Sequence, residues 1–357
     1  MFNRSSYIIK DMFKWAAALA AAYLLANIAL IPYYHYTPGI PLEVNATNEI
    51  YYPGSVFFTT QEGYSYGRFD ENGYLNYGSM IKDNGKDSGK LTGKDYEPGD
   101  VLLMGSSHTM GKEVPRGYRY CDIINEEYGI PVYNMAMDGH LYPDIIKGFE
   151  AALRQFPDPS AIIIETSMTE FGIEDLRDSL LQREYDEART GRMIVNNAGN
   201  PSRLKAELQT WLPYRILLKQ KLKALKSEVK EKDTGSEQEY RQALNDTMKL
   251  MRSLYDKPVI IVYHPPVNVD KEGKAVPGYD NDETVRIFAE TCEANDILFT
   301  DMSDEFVEKY LESNRLPHGF MNTSVGTGHL NRTGHELIGN RLFKVLNEAG
   351  IDTTGNR

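Results

Sequence analysis

The feature that most constrains this chain is a set of five short, unbroken apolar runs: Val101 to Met104, Pro131 to Ala136, Ala161 to Ile164, Val259 to Tyr263 and Ile297 to Thr300. A strand with one wet face alternates apolar and polar residues, so an unbroken apolar strand is buried on both faces. Amphipathic stretches separate the runs, among them Tyr142 to Gln155, Asp282 to Ala294 and Ser303 to Leu311. Strand and helix therefore alternate from about residue 100 onward. The pattern predicts an α/β fold in which a parallel sheet lies between two helical layers, a three-layer α/β/α arrangement. Such sheets hold their ligands at the carboxyl ends of the strands.

A second apolar feature stands apart from these runs. Trp15 to Ile31 is almost continuously apolar, preceded by Arg4, Lys10 and Lys14 and followed by Pro32, Tyr33 and Tyr34. At about 1.5 Å per residue it spans roughly 25 Å, close to a hydrocarbon core of roughly 30 Å once interfacial tyrosines extend it. Basic residues on its N-terminal side place residues 1–14 in the cytoplasm, 15–32 in the membrane and the remainder outside. An uncleaved anchor is preferred to a cleaved signal because no small-x-small site precedes the bulky Ile-Ala-Leu-Ile-Pro-Tyr-Tyr segment.

Residues 37–98 are rich in Tyr, Gly, Asn and Asp and read as a lead-in that packs on the main domain. In it, Tyr66 to Tyr74 reads as a hairpin turning at Asn72-Gly73. The main domain is expected over residues 99–350, with a helical insertion at about 172–256 that contains a basic helix bearing Lys219, Lys221, Lys223 and Lys226. The net charge of −12 argues against a nucleic-acid binder, which needs a basic face. Cys121 and Cys292 are too few for a disulfide framework and read as small buried hydrophobes.

The first apolar run ends abruptly in Gly105-Ser106-Ser107-His108, with helix-compatible sequence after it. A small hydroxyl side chain on a strand-to-helix turn is where a nucleophile is best exposed. Serine attacks only once a base takes its proton, and histidine has the suitable pKa. Ser107 is therefore the expected nucleophile. Its base is expected from Gly328-His329-Leu330-Asn331-Arg332-Thr333-Gly334-His335, with His329 as that base and His335 as a helix-packing residue. His108 reads as a helix-start residue. His140, His264 and Asp301 each follow a strand at the same edge, but neither they nor His329 fall in a metal-ligand spacing, so no metal is expected. No phosphate-binding or dinucleotide loop is present, and no cofactor is expected.

These segments, together with Tyr133-Asn134-Met135-Ala136-Met137-Asp138-Gly139-His140, resemble the first, second and last blocks of the SGNH (GDSL-type) hydrolases. The Gly-Ser-Ser variant is similar to the membrane-anchored branch that includes the D-alanyl transfer protein DltD and the polysaccharide O-acetylation enzymes. The resemblance covers residues 100 to 348. It implies a flavodoxin-like sheet and acyl transfer through Ser107, with backbone amides of Ser107 and Gly139 as the oxyanion hole. The third block departs from the family, since Ile164-Glu165-Thr166-Ser167 stands where a Gly-x-Asn-Asp turn is usual. Either Ser167 or Asn134 could supply the missing donor. The acid that usually precedes the base by three residues is replaced by Gly326, which leaves Glu165, Asp138 and the Thr327 hydroxyl as groups that could orient His329. Loss of that orienting carboxylate costs a serine-protease triad up to ~10⁴-fold. The sequence thus leads to an extracytoplasmic, membrane-anchored serine esterase or O-acyltransferase. Its expected substrates are acyl esters, acetyl foremost, of a cell-envelope or exported glycan, with a membrane partner that feeds acyl groups. The alternative is a non-catalytic envelope protein of the same fold that binds glycan or an assembly partner.

Overall fold

The computed structural model describes residues 3–34, 41–44, 48–51, 53–59, 62–81, 87–181, 218, 234–279 and 281–351. Helix α1 (Asn3–Tyr34) contains a segment, Lys10–Ala29, that is long and apolar enough to cross a membrane, a test an N-terminal signal sequence also passes. Its Phe13, Trp15, Leu19 and Leu25 are exposed. Strands β1 (Pro41–Val44) and β2 (Asn48–Tyr51) pair antiparallel. A four-stranded antiparallel sheet follows: β3 (Val56–Thr59), β4 (Ser65–Arg68), β5 (Tyr77–Ile81) and β6 (Asp87–Gly93).

The hairpin expected at Tyr66 to Tyr74 reverses at Asn72-Gly73: the Gly73 amide donates to the Asp70 carbonyl, the Asp70 amide donates to the Tyr74 carbonyl, and Gly73 has a φ of +83°. Asn72-Gly73 lies in a longer connection between β4 and β5, which pair only through Gly67↔Gly78 and Arg68↔Tyr77. The reason is Asp70, whose carboxylate accepts from the Asn72 and Tyr74 amides, the Asn76 side chain and the Tyr133 hydroxyl. This Asx-type network braces the reversal and extends it beyond a two-residue turn.

From residue 101 the elements are β7 (Val101–Met104), α2 (Ser107–Met110), α3 (Tyr120–Glu126), β8 (Val132–Asn134), α4 (Tyr142–Lys147), α5 (Phe149–Gln155), β9 (Ala161–Thr166) and α6 (Ile173–Ser179). They continue with α7 (Glu237–Leu254), β10 (Val259–Tyr263), the small hairpin β11 (Val267–Val269) and β12 (Ala275–Pro277), then α8 (Asp282–Glu293), β13 (Leu298–Asp301) and α9 (Ser303–Ser313). The last are a hairpin, β14 (His318–Gly319) and β15 (Val325–Leu330), and α10 (Arg332–Glu348). Of the insertion expected at about 172–256, residues 182–217 and 219–233, with the four lysines, lie outside the described residues. The expected amphipathic helix Tyr142 to Gln155 is two helices, because Gly148 ends one and begins the next.

Strands β8, β7, β9, β10 and β13 form one sheet in that order, every pair parallel. This is the 2-1-3-4-5 order of the flavodoxin-like doubly wound fold. Its two cores follow from the two-residue period of a strand. Leu102, Met104, Ile162, Ile164, Val259 and Ile261 pack against α4, α5, α7 and α8 on one face. Their neighbours Val101, Leu103, Ala161, Ile163, Ile260 and Val262 pack against α3, α9 and α10 on the other. Both faces are covered, as unbroken apolar runs require, and the fold is three-layer α/β/α. The winding direction reverses between β7 and β9, and β7 ends at the Gly105-Ser106-Ser107 turn.

Candidate active site

The Ser107 turn is held by a buried carboxylate. Glu165, near the end of β9, accepts at one oxygen from the Ser106 amide, the Ser106 hydroxyl and the Thr109 hydroxyl, each at 2.8 Å. Gly105 has to be glycine for this, since a Cβ there would stand 2.7 Å from that oxygen and 2.1 Å from the Thr109 hydroxyl. Ser106 caps α2 by accepting from the His108 amide. Ser107 is the first residue of α2, where a helix leaves its amide without an intrahelical acceptor.

His329 comes from the opposite end of the chain, on β15 just before Asn331, the N-cap of α10. The Asn331 side chain accepts from the Thr333 and Gly334 amides and donates to the Leu316 and Gly319 carbonyls, which fixes the hairpin end. There His329 Nε2 lies 2.8 Å from Ser107 Oγ. Its other nitrogen, Nδ1, lies 2.8 Å from Glu62 Oε2, and the His329 amide donates to Glu62 Oε1 at 2.8 Å. Serine, histidine and carboxylate thus form one continuous hydrogen-bonded chain. Its His329 and Glu62 side chains are 28% and 21% exposed, so the chain is open to solvent at its edge.

Glu62 belongs to the lead-in, and the loop that carries it is stitched to the α/β body. The Tyr64 amide donates to the Glu113 carbonyl at 3.1 Å, and Gly63 and Asn322 exchange two hydrogen bonds. Gly328, with φ of +93°, leaves the gap that Glu62 fills, since a Cβ there would lie 2.3 Å from Glu62 Oε1. Burial opposes charge on His329, but the bond to Glu62 and the nearby Glu113 carboxyl outweigh it and raise its pKa. Burial likewise works to raise the pKa of Glu62, and its bonds to His329 reverse that and hold it low. Glu113 itself lies 3.6 Å from His329 Nδ1, and burial pushes it up to about 7.

None of the three groups expected to orient His329 touches its Nδ1. Glu165 spends its second oxygen on His264 Nε2 at 2.8 Å. Asp138 is bound to Lys112 and to the Tyr51 hydroxyl. Thr327 donates to Ser324 Oγ. Nothing in the spacing of Glu62 could have revealed it, because its role depends on how a separate sheet docks. Of the expected oxyanion donors, Asn134 is excluded by its bonds: its side-chain nitrogen serves the Thr109 carbonyl and Cys121, and its oxygen accepts from the Ala136 amide. Ser167 is half-buried just beyond β9, and Gly139, at φ +76°, sits exposed in the turn after β8. His335 is fully buried, accepting from the Tyr120 amide in the packing of α10 on α3.

Two further histidines, one of them absent from any recognisable motif, lie beside His108. His108, His264 and His318 converge, each with a ring nitrogen within 4.8 Å of the others.

No protein-family model matches the sequence, and no curated protein matches it significantly. In shape the chain is similar to a solved protein of Lactobacillus plantarum, at 12% identity over 71% of this chain and 99% of that one, with a TM-score of 0.38. It is similar to a Bacillus subtilis protein at 13% identity over 75% and 64%, with a TM-score of 0.40. An acetylxylan esterase from Geobacillus stearothermophilus matches at 13% identity over 73% and 99%, with a TM-score of 0.36. At TM-scores below 0.5 these likenesses decide nothing about this chain, whose architecture stands on its own strand order.

Proposed function

We propose that the chain is a serine esterase or O-acyltransferase of the SGNH kind, acting through an acyl-Ser107 intermediate. The observation that carries this reading is the chain of two 2.8 Å contacts, Ser107 Oγ to His329 Nε2 and His329 Nδ1 to Glu62. His329 takes the Ser107 proton as Oγ attacks the ester carbonyl, and the imidazolium so formed is stabilised by the Glu62 carboxylate. The tetrahedral oxyanion is met by the amides of Ser107 and Gly139, with the Ser167 hydroxyl as the side-chain donor. His329 then gives its proton to the leaving alcohol. In the second half it takes a proton from water or a sugar hydroxyl, whose attack frees Ser107.

The substrate class is part of the same proposal. A depression lined by Met104, Met135, Met137, His140 and Ile145 opens beside Gly105, which suits a short acyl group. The exposed apolar side chains of α1 favour a membrane anchor with the catalytic body outside the cell, and hence an acylated cell-envelope or exported glycan, acetyl foremost. A membrane partner that feeds acyl groups belongs to the transferase form of the reading. The non-catalytic alternative draws on the absent acid at Gly326 and on the altered third block; the contact of Glu62 with His329 Nδ1 speaks against the first of these.

Labelling of the detergent-solubilised protein with a serine-directed fluorophosphonate tests the reading. Wild type labels and Ser107→Ala does not; equal labelling of both, or none of folded wild type, overturns it.

A further inference from the structure

Beside the Ser107 turn lie three imidazoles that take no part in the Ser107, His329 and Glu62 chain. They come from three separate segments: His108 from α2, His264 from the residue after β10, and His318 from β14. His264 and His318 are 0% and 3% exposed, so neither is a solvated surface histidine. His264 Nδ1 and His318 Nε2 face each other at 3.3 Å, and the His108 ring centroid lies 4.9 Å from that of His264 and 5.8 Å from that of His318.

We propose that His108, His264 and His318 form a three-histidine site for a divalent transition metal, zinc above all. Two nitrogens bound to one tetrahedral zinc, each at roughly 2.0–2.1 Å, stand about 3.3–3.4 Å apart. The His264 and His318 nitrogens already have that separation. The outer shell is also of the right kind. Glu165 Oε1 lies 2.8 Å from His264 Nε2. A carboxylate holding the N–H on one side of a ligating imidazole, with the lone pair aimed at the metal on the other, is the usual way such a ring is fixed. His318 has no such support: its Nδ1, on the far side of the ring from the facing His264 nitrogen, is buried with no hydrogen-bond partner among the described residues.

His108 completes the set at the cost of one long hydrogen bond. The Leu330 amide donates to His108 Nδ1 at 3.3 Å. Ligation through Nδ1 uses the lone pair that accepts this bond, and ligation through Nε2 moves the ring proton onto Nδ1, so either mode displaces it. An all-imidazole donor set favours zinc, copper or nickel over magnesium or calcium. The consequence is mechanical. His108 follows Ser107 directly, and His318 pairs with Leu330, the residue after His329. A metal here ties the serine turn to the hairpin that carries its base.

The full-length protein in detergent, stripped with a chelator and then offered zinc or cobalt(II) alone, tests the proposal. Wild type is expected to retain one zinc per chain by elemental analysis, to show the visible absorption of four-coordinate cobalt(II), and to melt at a higher temperature with zinc. His264→Gln and His318→Gln, checked for folding by circular dichroism, are expected to lose all three responses, and His140→Gln to keep them. Folded wild type that binds no zinc at saturation overturns the proposal whether or not the variants fold. So does zinc binding unchanged in both variants. In either case the cluster is a hydrogen-bonded network of the protein alone.

Discussion

Glu62 Oε2 lies 2.8 Å from His329 Nδ1 across a sequence separation of 267 residues. The acid of the proposed triad thus comes from the lead-in sheet, while the nucleophile and base come from the α/β body. Removing its charge tests the assignment directly. Glu62→Gln is expected to lower kcat for a model acetyl ester by up to ~10⁴-fold with little change in KM, because the carboxylate stabilises an imidazolium that forms only in the transition state. Steady-state kinetics on the purified protein measure this, and a kcat within tenfold of wild type is incompatible with it.

The pH profile should move with the same residue. His329 works as a base when neutral, and its pKa is raised above the ordinary histidine value, so activity falls as pH drops through that raised value. In Glu62→Gln the negative charge that raises it is gone, and the hydrogen bond that remains is to a neutral amide oxygen. The acid limb of kcat/KM should therefore shift to lower pH while the plateau falls.

Gly328→Ala probes the docking rather than the charge. The new Cβ would meet Glu62 Oε1 and would sit at a φ of +93° that costs a non-glycine residue about 1–3 kcal/mol. The expected outcome is a rate loss approaching that of Glu62→Gln, seen alongside retained fluorophosphonate reaction at a reduced rate.

Glu165 is a stability prediction. Its four short contacts lie wholly in the interior, and Glu165→Gln turns at least one acceptor into a donor facing another donor or His264. Each buried donor left unpaired costs about 1–3 kcal/mol. For a body of this size that lowers Tm by about 2–4 °C per kcal/mol, which a thermal melt detects.

What could be read from the sequence follows how local each signal is. The five strands were legible because residues such as Ile162 and Ile163 must be apolar on successive positions when both sheet faces are covered. Ser107 and His329 were legible as a pair because each sits on a strand end with a turn or cap of recognisable type. Glu62 was not, since no local pattern marks a loop residue whose partner is set by docking of another sheet. Asp70 shows the same limit on a smaller scale: Asn72-Gly73 marks the reversal between β4 and β5, but no local pattern marks the Asp70 carboxylate that braces it and ties it to Tyr133. The convergence of His108, His264 and His318 depends on strand order, which single-segment spacing does not encode.

The distance along the chain between Ser107 and its proposed base also sets an order of events during biosynthesis. A polypeptide made from its N-terminus exposes Glu62 and Ser107 long before His329, which follows the serine by 222 residues. Until β15 and α10 have folded onto the sheet, His329 is not within reach of the serine hydroxyl. On the proposed reading, the triad is completed only when its latest-made member docks, so the reactivity of Ser107 awaits the folding of β15 onto the body.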